Sequence, residues 1–228
     1  MADYKKPDHW QLKARAEGYP ARSVYKLKEM DEKFNLLKPE HSGNGFRVLD
    51  LGAAPGSWSL YILRKTQGLL KQTGVFLVSA DLSPLSRQYD GGLFSSDNFS
   101  FIQGDITDAA VRDSIIDKGP YNLIISDAAP ATTGSRFIDA ARSLELAETA
   151  LAYAESALVS KTGNLVIKLF QGGDTSQLLR RMRTMFKTAK SYKPAACRGD
   201  SFEAYYLGLA RSSQIEGSSA SRSMRINI

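Results

Sequence analysis

The stretch Asp50-Leu-Gly-Ala-Ala-Pro-Gly-Ser-Trp58 joins a short apolar run to a helical pattern. The run at residues 46–51 predicts a buried strand, and Trp58 to Lys65 predict a helix. Glycines at such a turn let the backbone approach a ligand, and the helix N-terminus offers free N–H groups. The stretch therefore predicts a ligand-binding loop, containing Gly52 and Gly56, at the carboxyl end of a strand.

Strands and helices alternate on both sides of this loop. Strands are predicted near residues 46–51, 74–80, 99–102, 121–126, 163–169, 189–193 and 204–209, and helices near 58–65, 108–116, 136–159 and 175–186. Alternation of this kind is typical of an α/β protein. We expect a Rossmann-like, doubly wound, mostly parallel seven-stranded sheet with helices on both faces.

Three regions are expected along the chain. Residues 1–38 form a basic N-terminal extension with a short helix near 9–16 and a helical pattern from Ser23 onward. Residues 39–211 form the main domain. Residues 212–228 are rich in serine and predict a disordered tail.

Composition excludes several classes of protein. The 228 residues are 43% hydrophobic and 24% charged, as in ordinary globular proteins, and no apolar run approaches the roughly 20 residues that span a bilayer. The N-terminus lacks the apolar core of a secretory signal. The single cysteine, Cys197, and two distant histidines, His9 and His41, provide neither an internal disulfide nor metal-ligand spacing. We expect a cytoplasmic, metal-free protein with no membrane partner, although carboxylate-bound magnesium stays open.

The net charge of +6 is unevenly distributed. Residues 1–38 carry nine basic and six acidic side chains, and residues 175–199 carry seven basic side chains and no acidic one: Arg180, Arg181, Arg183, Lys187, Lys190, Lys193 and Arg198. If the two basic stretches converge on one face, they would attract a polyanion, and residues 1–38 and 175–199 are then expected to contact the phosphates of a nucleic acid such as RNA. Solvated helix faces are the alternative interpretation.

The ligand class follows from what the loop lacks and from nearby acids. Ala54 stands where a dinucleotide loop has its second glycine, and a Gly-Lys-Ser/Thr phosphate loop is absent. Asp81, Asp105 and Asp127 follow the second, third and fourth predicted strands. Carboxylates there would suit the ribose hydroxyls and polar ends of S-adenosylmethionine. Helix capping is the alternative role for each acid.

The chain resembles the FtsJ/RrmJ family of ribose 2′-O-methyltransferases. The matching segments occur in family order over residues 9–210: Ala21-Arg-Ser-Val-Tyr-Lys-Leu27, Asp50-Leu-Gly-Ala-Ala-Pro-Gly-Ser-Trp-Ser59, Asp81-Leu-Ser-Pro84, Gln103-Gly-Asp-Ile-Thr-Asp108, Ser126-Asp-Ala-Ala-Pro130, Asp139-Ala-Ala-Arg-Ser143, Val166-Ile-Lys-Leu-Phe-Gln-Gly172 and Ser201-Phe-Glu-Ala-Tyr-Tyr206. The resemblance implies a S-adenosylmethionine-dependent methyltransferase fold.

The resemblance also implies site residues. Its catalytic Lys-Asp-Lys-Glu set falls on Lys26, Asp127, Lys168 and Glu203, and its cofactor residues fall on Gly56, Trp58, Asp81, Asp105 and Asp127. The chain departs from the family pattern at Ser57, usually a glycine, and at Ala128-Ala129, often Met-Ala. These departures affect the expected loop conformation rather than the assignment.

Methyl transfer to a ribose makes specific demands on these residues. A 2′-hydroxyl is a poor nucleophile at neutral pH, so the enzyme must align it with the methyl group and assist loss of its proton. Lys168 lies in an apolar strand, where a solvated lysine is unusual. It is expected to act as the general base or as an orienting group, with Lys26 as the second cation and with Asp127 and Glu203 orienting both ammonium groups.

The resemblance implies an RNA substrate, most often a uridine of large-subunit ribosomal RNA within the assembled subunit. We expect the enzyme to be a monomer. Transfer RNA and organellar ribosomal RNA are alternatives. Trp10, Tyr19 and Tyr25 are expected either to stack on a flipped base or to pack the N-terminal helix onto the sheet. Two other classes stay open: a nicotinamide-dependent oxidoreductase and a catalytically silent RNA-binding relative.

Overall fold

The computed structural model describes residues 8–38, 45–68, 74–172, 175–199 and 201–213. The predicted tail at 212–228 therefore lies outside the described residues, except for its first two positions. His41 lies outside them as well.

Seven strands form one sheet in the order β3-β2-β1-β4-β5-β7-β6. The strands are β1 (Phe46–Leu51), β2 (Val75–Asp81), β3 (Phe99–Gln103), β4 (Leu123–Ser126), β5 (Asn164–Phe170), β6 (Phe186–Tyr192) and β7 (Glu203–Arg211). β1 to β5 run parallel to one another, whereas β7 runs antiparallel to both β5 and β6. The predicted mostly parallel, seven-stranded sheet is confirmed.

The helices are α1 (His9–Ala16), α2 (Val24–Phe34), α3 (Ser57–Thr66), α4 (Ala109–Ile116), α5 (Arg136–Ala157) and α6 (Ser176–Met185). Two hydrophobic cores lie on opposite faces of the sheet. One contains residues of α1, α2 and α3, and the other contains residues of α4, α5 and α6. Both faces are therefore covered, as predicted, and the N-terminal helices share a core with the sheet.

The largest difference from the predicted elements occurs at β6. The strand begins at Phe186, directly after α6 ends at Met185, whereas the sequence pattern predicts helix to residue 186 and strand only from 189. β6 is an edge strand that leaves most of its side chains exposed or half-exposed. A strand with little burial on either face lacks the alternation of apolar and polar residues that marks where a strand begins. The sequence pattern therefore misplaces the boundary between α6 and β6.

Smaller differences occur at β4 and α5. β4 begins at Leu123 rather than at residue 121, because Tyr121 follows Pro120 and makes only an isolated bridge to Leu158. α5 ends at Ala157, two residues before the predicted end.

Two properties bear on function. Of the helices in the described ranges, none combines the length and apolar character needed to cross a membrane. Within the same ranges, no three His, Cys, Asp or Glu side chains lie close enough together to hold a metal ion.

Candidate active site

The loop after β1 requires glycine at both ends. Gly52 has φ +72°, and a Cβ added there would lie 2.5 Å from the Cα of Ala128. Gly56 has φ +103° at the N-cap of α3, and a Cβ there would lie 2.9 Å from the Phe94 ring. Glycine is favoured at both positions by the positive φ, and any other residue would have to displace the backbone of Ala128 or the ring of Phe94. The loop thus closely approaches the segment that follows β4.

A cleft of about 640 Å³ opens beside this loop, a size that suits a nucleotide-like ligand. It lies beyond the carboxyl ends of β1, β2, β3, β4 and β5. The predicted residues that line it are Gly52, Asp81, Asp105, Asp127 and Lys168, and the further lining residues include Leu82, Ile106, Thr107, Arg142 and Glu145. The sequence-based argument missed this further set, because a side chain on a loop or on the outer face of a helix carries no periodic signal that points to a ligand.

Asp81 and Asp105 enter the cleft with part of their acceptor capacity engaged by backbone. The Asp81 carboxylate accepts hydrogen bonds from the N–H groups of Ala54 (2.9 Å) and Ser83 (2.8 Å). Asp105 accepts from the N–H (2.8 Å) and the hydroxyl (2.7 Å) of Thr107, which lowers the pKa of its carboxyl group. The helix-capping role belongs instead to Asp108, which accepts from the first turn of α4.

Two predicted cofactor residues occupy other positions. Among the described residues that line the cleft, neither Gly56 nor Trp58 appears. The Trp58 side chain is 2% exposed, and its indole N–H donates to the carbonyl oxygen of Ser23 (2.8 Å). Trp58 therefore ties α3 to the start of α2, three residues before Lys26, and contact of its side chain with a cofactor has no support in this geometry.

The four predicted catalytic residues come together as two ion pairs, which we call the tetrad: Lys26, Asp127, Lys168 and Glu203. Lys26 Nζ lies 2.8 Å from Glu203 Oε1, and Lys168 Nζ lies 3.0 Å from Asp127 Oδ1. Lys168 also donates to the backbone oxygen of Asp127. All four side chains are between 8% and 16% exposed, so the pairs are shielded from bulk water without being sealed from it.

Strand register explains how residues so distant in sequence meet. Lys168 on β5 pairs with Tyr205 on β7, and Phe170 pairs with Glu203. Directly opposed residues of antiparallel strands point to the same face of the sheet, and so do residues two positions apart on one strand. Lys168 and Glu203 therefore lie on the same face. α2 packs on that face and supplies Lys26, while Asp127 follows β4 beside β5.

Tyr205 belongs to this site and was missed as a candidate. Its hydroxyl donates to Asp127 Oδ1 (2.7 Å), and Lys26 Nζ lies 5.9 Å from the centre of its ring. Burial, together with the negative charges of Asp127 and Glu203, raises the pKa of Tyr205 well above its ordinary value. Tyr205 lies two positions after Glu203 on β7, so both side chains point to the same face of the strand. This spacing is the sequence signal that could have identified Tyr205.

Burial and charge act in opposite directions on the tetrad. Burial alone lowers the pKa of Lys26, but the carboxylates of Asp127 and Glu203 together raise it above its usual value. Burial alone raises the pKa of Asp127, but Lys168, Lys26 and the Tyr205 hydroxyl together lower it. The two ion pairs therefore keep Lys26 cationic and Asp127 anionic near neutral pH.

The predicted basic stretch at 175–199 divides between two faces. Its first half lies on α6, where Arg181 pairs with Glu155 of α5, on the face opposite the tetrad. Its second half lies beside α1 and α2, since Arg22 donates to the carbonyl oxygen of Ala196 and Lys190 lies 4.3 Å from the Phe34 ring. Only this second half joins the N-terminal basic residues.

The N-terminal aromatic residues pack inward. Tyr19 and Tyr25 are buried in the core beneath α2, and Trp10 packs on Tyr25 with ring centres 4.9 Å apart. The packing alternative is therefore the one the structure supports, and base stacking by buried Tyr19 and Tyr25 is excluded.

Comparison with known proteins agrees with this geometry. Residues 19–211 match the family described as FtsJ-like methyltransferase. The chain belongs to that family. Relatives named ribosomal RNA large subunit methyltransferase E are 49% identical in Treponema denticola (90% of this chain, 96% of the relative) and 44% identical in Borrelia garinii (90% and 97%).

The FtsJ-like fold is also found in solved structures. A ribosomal RNA methyltransferase from Plasmodium falciparum matches with a TM-score of 0.67 and 25% identity, over 85% of this chain and 98% of that one. The predicted family, the predicted methyltransferase fold and the prediction of a methyltransferase enzyme are thus confirmed. The nicotinamide-dependent oxidoreductase is not supported.

Proposed function

We propose that this FtsJ-like protein transfers the methyl group of S-adenosylmethionine to the 2′-hydroxyl of a ribose, that of a uridine in large-subunit ribosomal RNA. The observation that carries the proposal is the meeting of the tetrad with the cleft, since Asp127 and Lys168 belong to both. The names of the relatives support the choice of RNA.

The residues of the cleft fit the cofactor. Asp81 is placed to accept hydrogen bonds from the ribose hydroxyls, Leu82 and Ile106 offer apolar contact to the adenine, and Asp105 lies beside Ile106 for its amino group. Gly52 leaves space where a side chain would meet Ala128. Asp127 is the remaining acid of the cleft, and we assign it to bind the charged methionyl end of the cofactor.

When bound, S-adenosylmethionine supplies a methyl group on a sulfonium, and the electron pair of the broken carbon–sulfur bond stays on sulfur. The protein must then hold the ribose oxygen in line and receive its proton as the oxygen–carbon bond forms. Lys168 lines the cleft, so we assign it to contact with the 2′-hydroxyl, which it orients for attack or whose proton it takes up. Such assistance contributes about 10² to 10⁴ in rate.

The other tetrad members position Lys168 and the ribose. Asp127 holds the Lys168 nitrogen through both its carboxylate and its backbone oxygen, which restricts the direction of the amine. Lys26 approaches from α2 and pairs with Glu203. It stays a cation, because the nearby carboxylates raise its pKa, and it is suited to hold the ribose or an adjoining phosphate.

The RNA backbone meets the basic surface beside the tetrad. Arg22 and the segment around Arg198 lie next to Glu203, and burial together with the charge of Arg198 lowers the pKa of Arg22. Clustered cations of this kind bind phosphates and make affinity depend on salt. The basic residues of α6 face the other way and take no part in this proposal.

All four tetrad residues come from one chain, so the site is complete in a monomer, the form in which we propose that the enzyme acts. A substrate within the large ribosomal subunit and a single cysteine, Cys197, fit the cytoplasm.

The decisive test is transfer of a tritiated methyl group to three substrates: large ribosomal subunits from a strain that lacks this enzyme, protein-free ribosomal RNA, and transfer RNA. The 2′-O-methyl sites are then mapped. We expect one labelled uridine in the large-subunit RNA. Labelling of transfer RNA instead would overturn the substrate assignment, and binding of RNA without any transfer would identify a silent relative.

A further inference from the structure

Three side chains beside the tetrad have no role in methyl transfer as described above. Phe170 ends β5 and Phe202 immediately precedes β7, and their ring centres lie 4.8 Å apart at a T-shaped angle. The guanidinium carbon of Arg136, at the start of α5, lies 5.6 Å from the centre of the Phe202 ring. We call Arg136, Phe170 and Phe202 the aromatic shelf.

The shelf adjoins the position assigned to the acceptor ribose. Phe170 is directly opposed to Glu203 across the β5–β7 pair, so both side chains lie on the face that carries the tetrad. Phe202 is the neighbour of Glu203 in the chain. The shelf therefore joins the N-terminus of α5 to the tetrad across the end of the sheet.

Its backbone is held in place while its side chains remain accessible. The N–H of Phe170 donates to the buried Ser143 hydroxyl (3.0 Å), and the N–H of Gln171 donates to the carbonyl oxygen of Phe202 (2.7 Å). Both phenyl rings are only partly buried and Arg136 is exposed. The next residue, Phe137, is 77% exposed, so this end of α5 carries further apolar surface.

We propose that the aromatic shelf stacks on a nucleobase of the RNA next to the acceptor ribose, and so positions that ribose at the tetrad; this rests on the proposed function. Bases that leave a helix stack on aromatic rings and on arginine guanidinium planes, and the shelf offers both. The cationic guanidinium adds charge complementarity to a polyanion. The stacking does not depend on which base is present, because every base has a π-face.

The test separates contact with bases from contact with phosphates. Binding of fluorescent octauridylate and of an abasic ribose-phosphate oligomer of equal length is measured at low salt for the wild type and for Phe202→Leu, Phe170→Leu and Arg136→Lys. We expect each variant to bind octauridylate about 5- to 50-fold more weakly, as loss of a stacked base predicts, and the abasic oligomer as wild type does. Arg136→Lys keeps the charge but loses the planar group.

A matched control lies at the opposite end of the strands. Arg47 lies over the Phe76 ring at 5.2 Å near the amino ends of β1 and β2, so Phe76→Leu removes a similar ring from a similar pair far from the tetrad. We expect it to bind both oligomers normally. Thermal melting and S-adenosylmethionine affinity, unchanged in all four variants, confirm that each one folds.

The proposal is overturned if the shelf variants bind both oligomers like the wild type or lose both equally. Failure of the wild type to methylate any RNA would refute the proposed function alone, because the difference between the two oligomers is a binding measurement.

Discussion

The cofactor cleft and the tetrad adjoin each other, yet they are built in different ways. The cleft is made of short segments at strand ends, and two of its acids, Asp81 and Asp105, accept hydrogen bonds from backbone N–H groups two residues onward, with one more from the neighbouring loop at Ala54. The tetrad is made of side chains from α2, β5, β7 and the β4 end, and each is held by a charge of opposite sign. The contacts that hold Asp81 and Asp105 are thus mostly local, whereas every contact of the tetrad joins distant parts of the chain.

The comparison predicts that the two regions fail differently when they are mutated. Loss of a cleft residue should weaken cofactor binding, because that residue contacts the ligand directly. Loss of Lys26, Lys168 or Glu203 should slow the reaction and leave cofactor affinity largely intact, whereas loss of Asp127, which belongs to both regions, should do both.

The largest effect is expected for Lys168→Ala. Removing the group that meets the 2′-hydroxyl should lower kcat by about 10³-fold or more, since proton transfer and alignment are lost together. Cofactor affinity, measured by calorimetry, should stay within about fivefold, the effect of one modest hydrogen bond. Lys187→Ala, on the exposed edge strand, is the control. Near-normal turnover of Lys168→Ala would refute the assigned role.

The second largest effect is expected for Asp81→Ala, which changes a residue of the cofactor cleft. Hydrogen bonds to a charged group contribute about 1.5–3 kcal/mol, so we expect the Kd for S-adenosylmethionine to rise about 10- to 100-fold. The kcat at saturating cofactor should change much less. Asp117→Ala, at the exposed end of α4, should leave both values unchanged. An unaltered Kd in Asp81→Ala would remove this residue from the cofactor site.

The same difference between regions explains how far sequence reasoning reaches. The glycine loop and the acids at 81, 105 and 127 are signalled by local patterns, because strand, turn and ligand contact fall within a few residues. Lys26 and Glu203 carry no such signal. On their own they look like surface charges, and only the family resemblance identified them.

Two expectations differ from the arrangement in the structure, and each difference has a physical cause. Trp58 sits in the family's loop motif, but its indole serves the α2–α3 contact rather than the cleft. The basic residues at 175–199 are contiguous in sequence, but a helix and an edge strand send them to opposite faces of the sheet. Residues that are adjacent in sequence are expected to share a surface only when they lie in the same helix or strand.

A third prediction concerns Asp50, which lies beneath the cleft loop at the end of β1. Its carboxyl group is fully buried, only Oδ2 receives a hydrogen bond (from Ser59, 2.6 Å), and burial raises its pKa to about 7. The folded protein therefore holds a proton that the unfolded chain releases near pH 4. This contribution to stability is complete below about pH 4 and is lost as the pH rises through about 7.

Urea unfolding of the wild type and of Asp50→Asn between pH 5 and 8 tests this. The wild type should lose about 2 kcal/mol more than the variant over that range, because the variant has no proton to release. Since every other titrating group is shared, the difference between the two slopes isolates Asp50. Parallel stability curves would show that Asp50 is ionised in the folded protein.

The smallest effect is expected for Glu203→Gln, on the tetrad side. The amide keeps an oxygen acceptor for Lys26 but removes a negative charge that raises the pKa of Lys26, so that pKa should fall. If the Lys26 cation holds the substrate, the alkaline limb of the pH–rate profile moves to lower pH. At neutral pH the rate should fall by only about fivefold, the difference between a charged and a neutral hydrogen bond.

The control for this last substitution is Glu155→Gln, which removes the carboxylate from an exposed ion pair with Arg181 on the opposite face. Exposed pairs contribute little, so its pH profile should match that of the wild type. A Glu203→Gln profile that also matches would mean that Lys26 acts in neutral form or away from the substrate. The tetrad would then be reduced to Asp127 and Lys168, the two members that line the cleft.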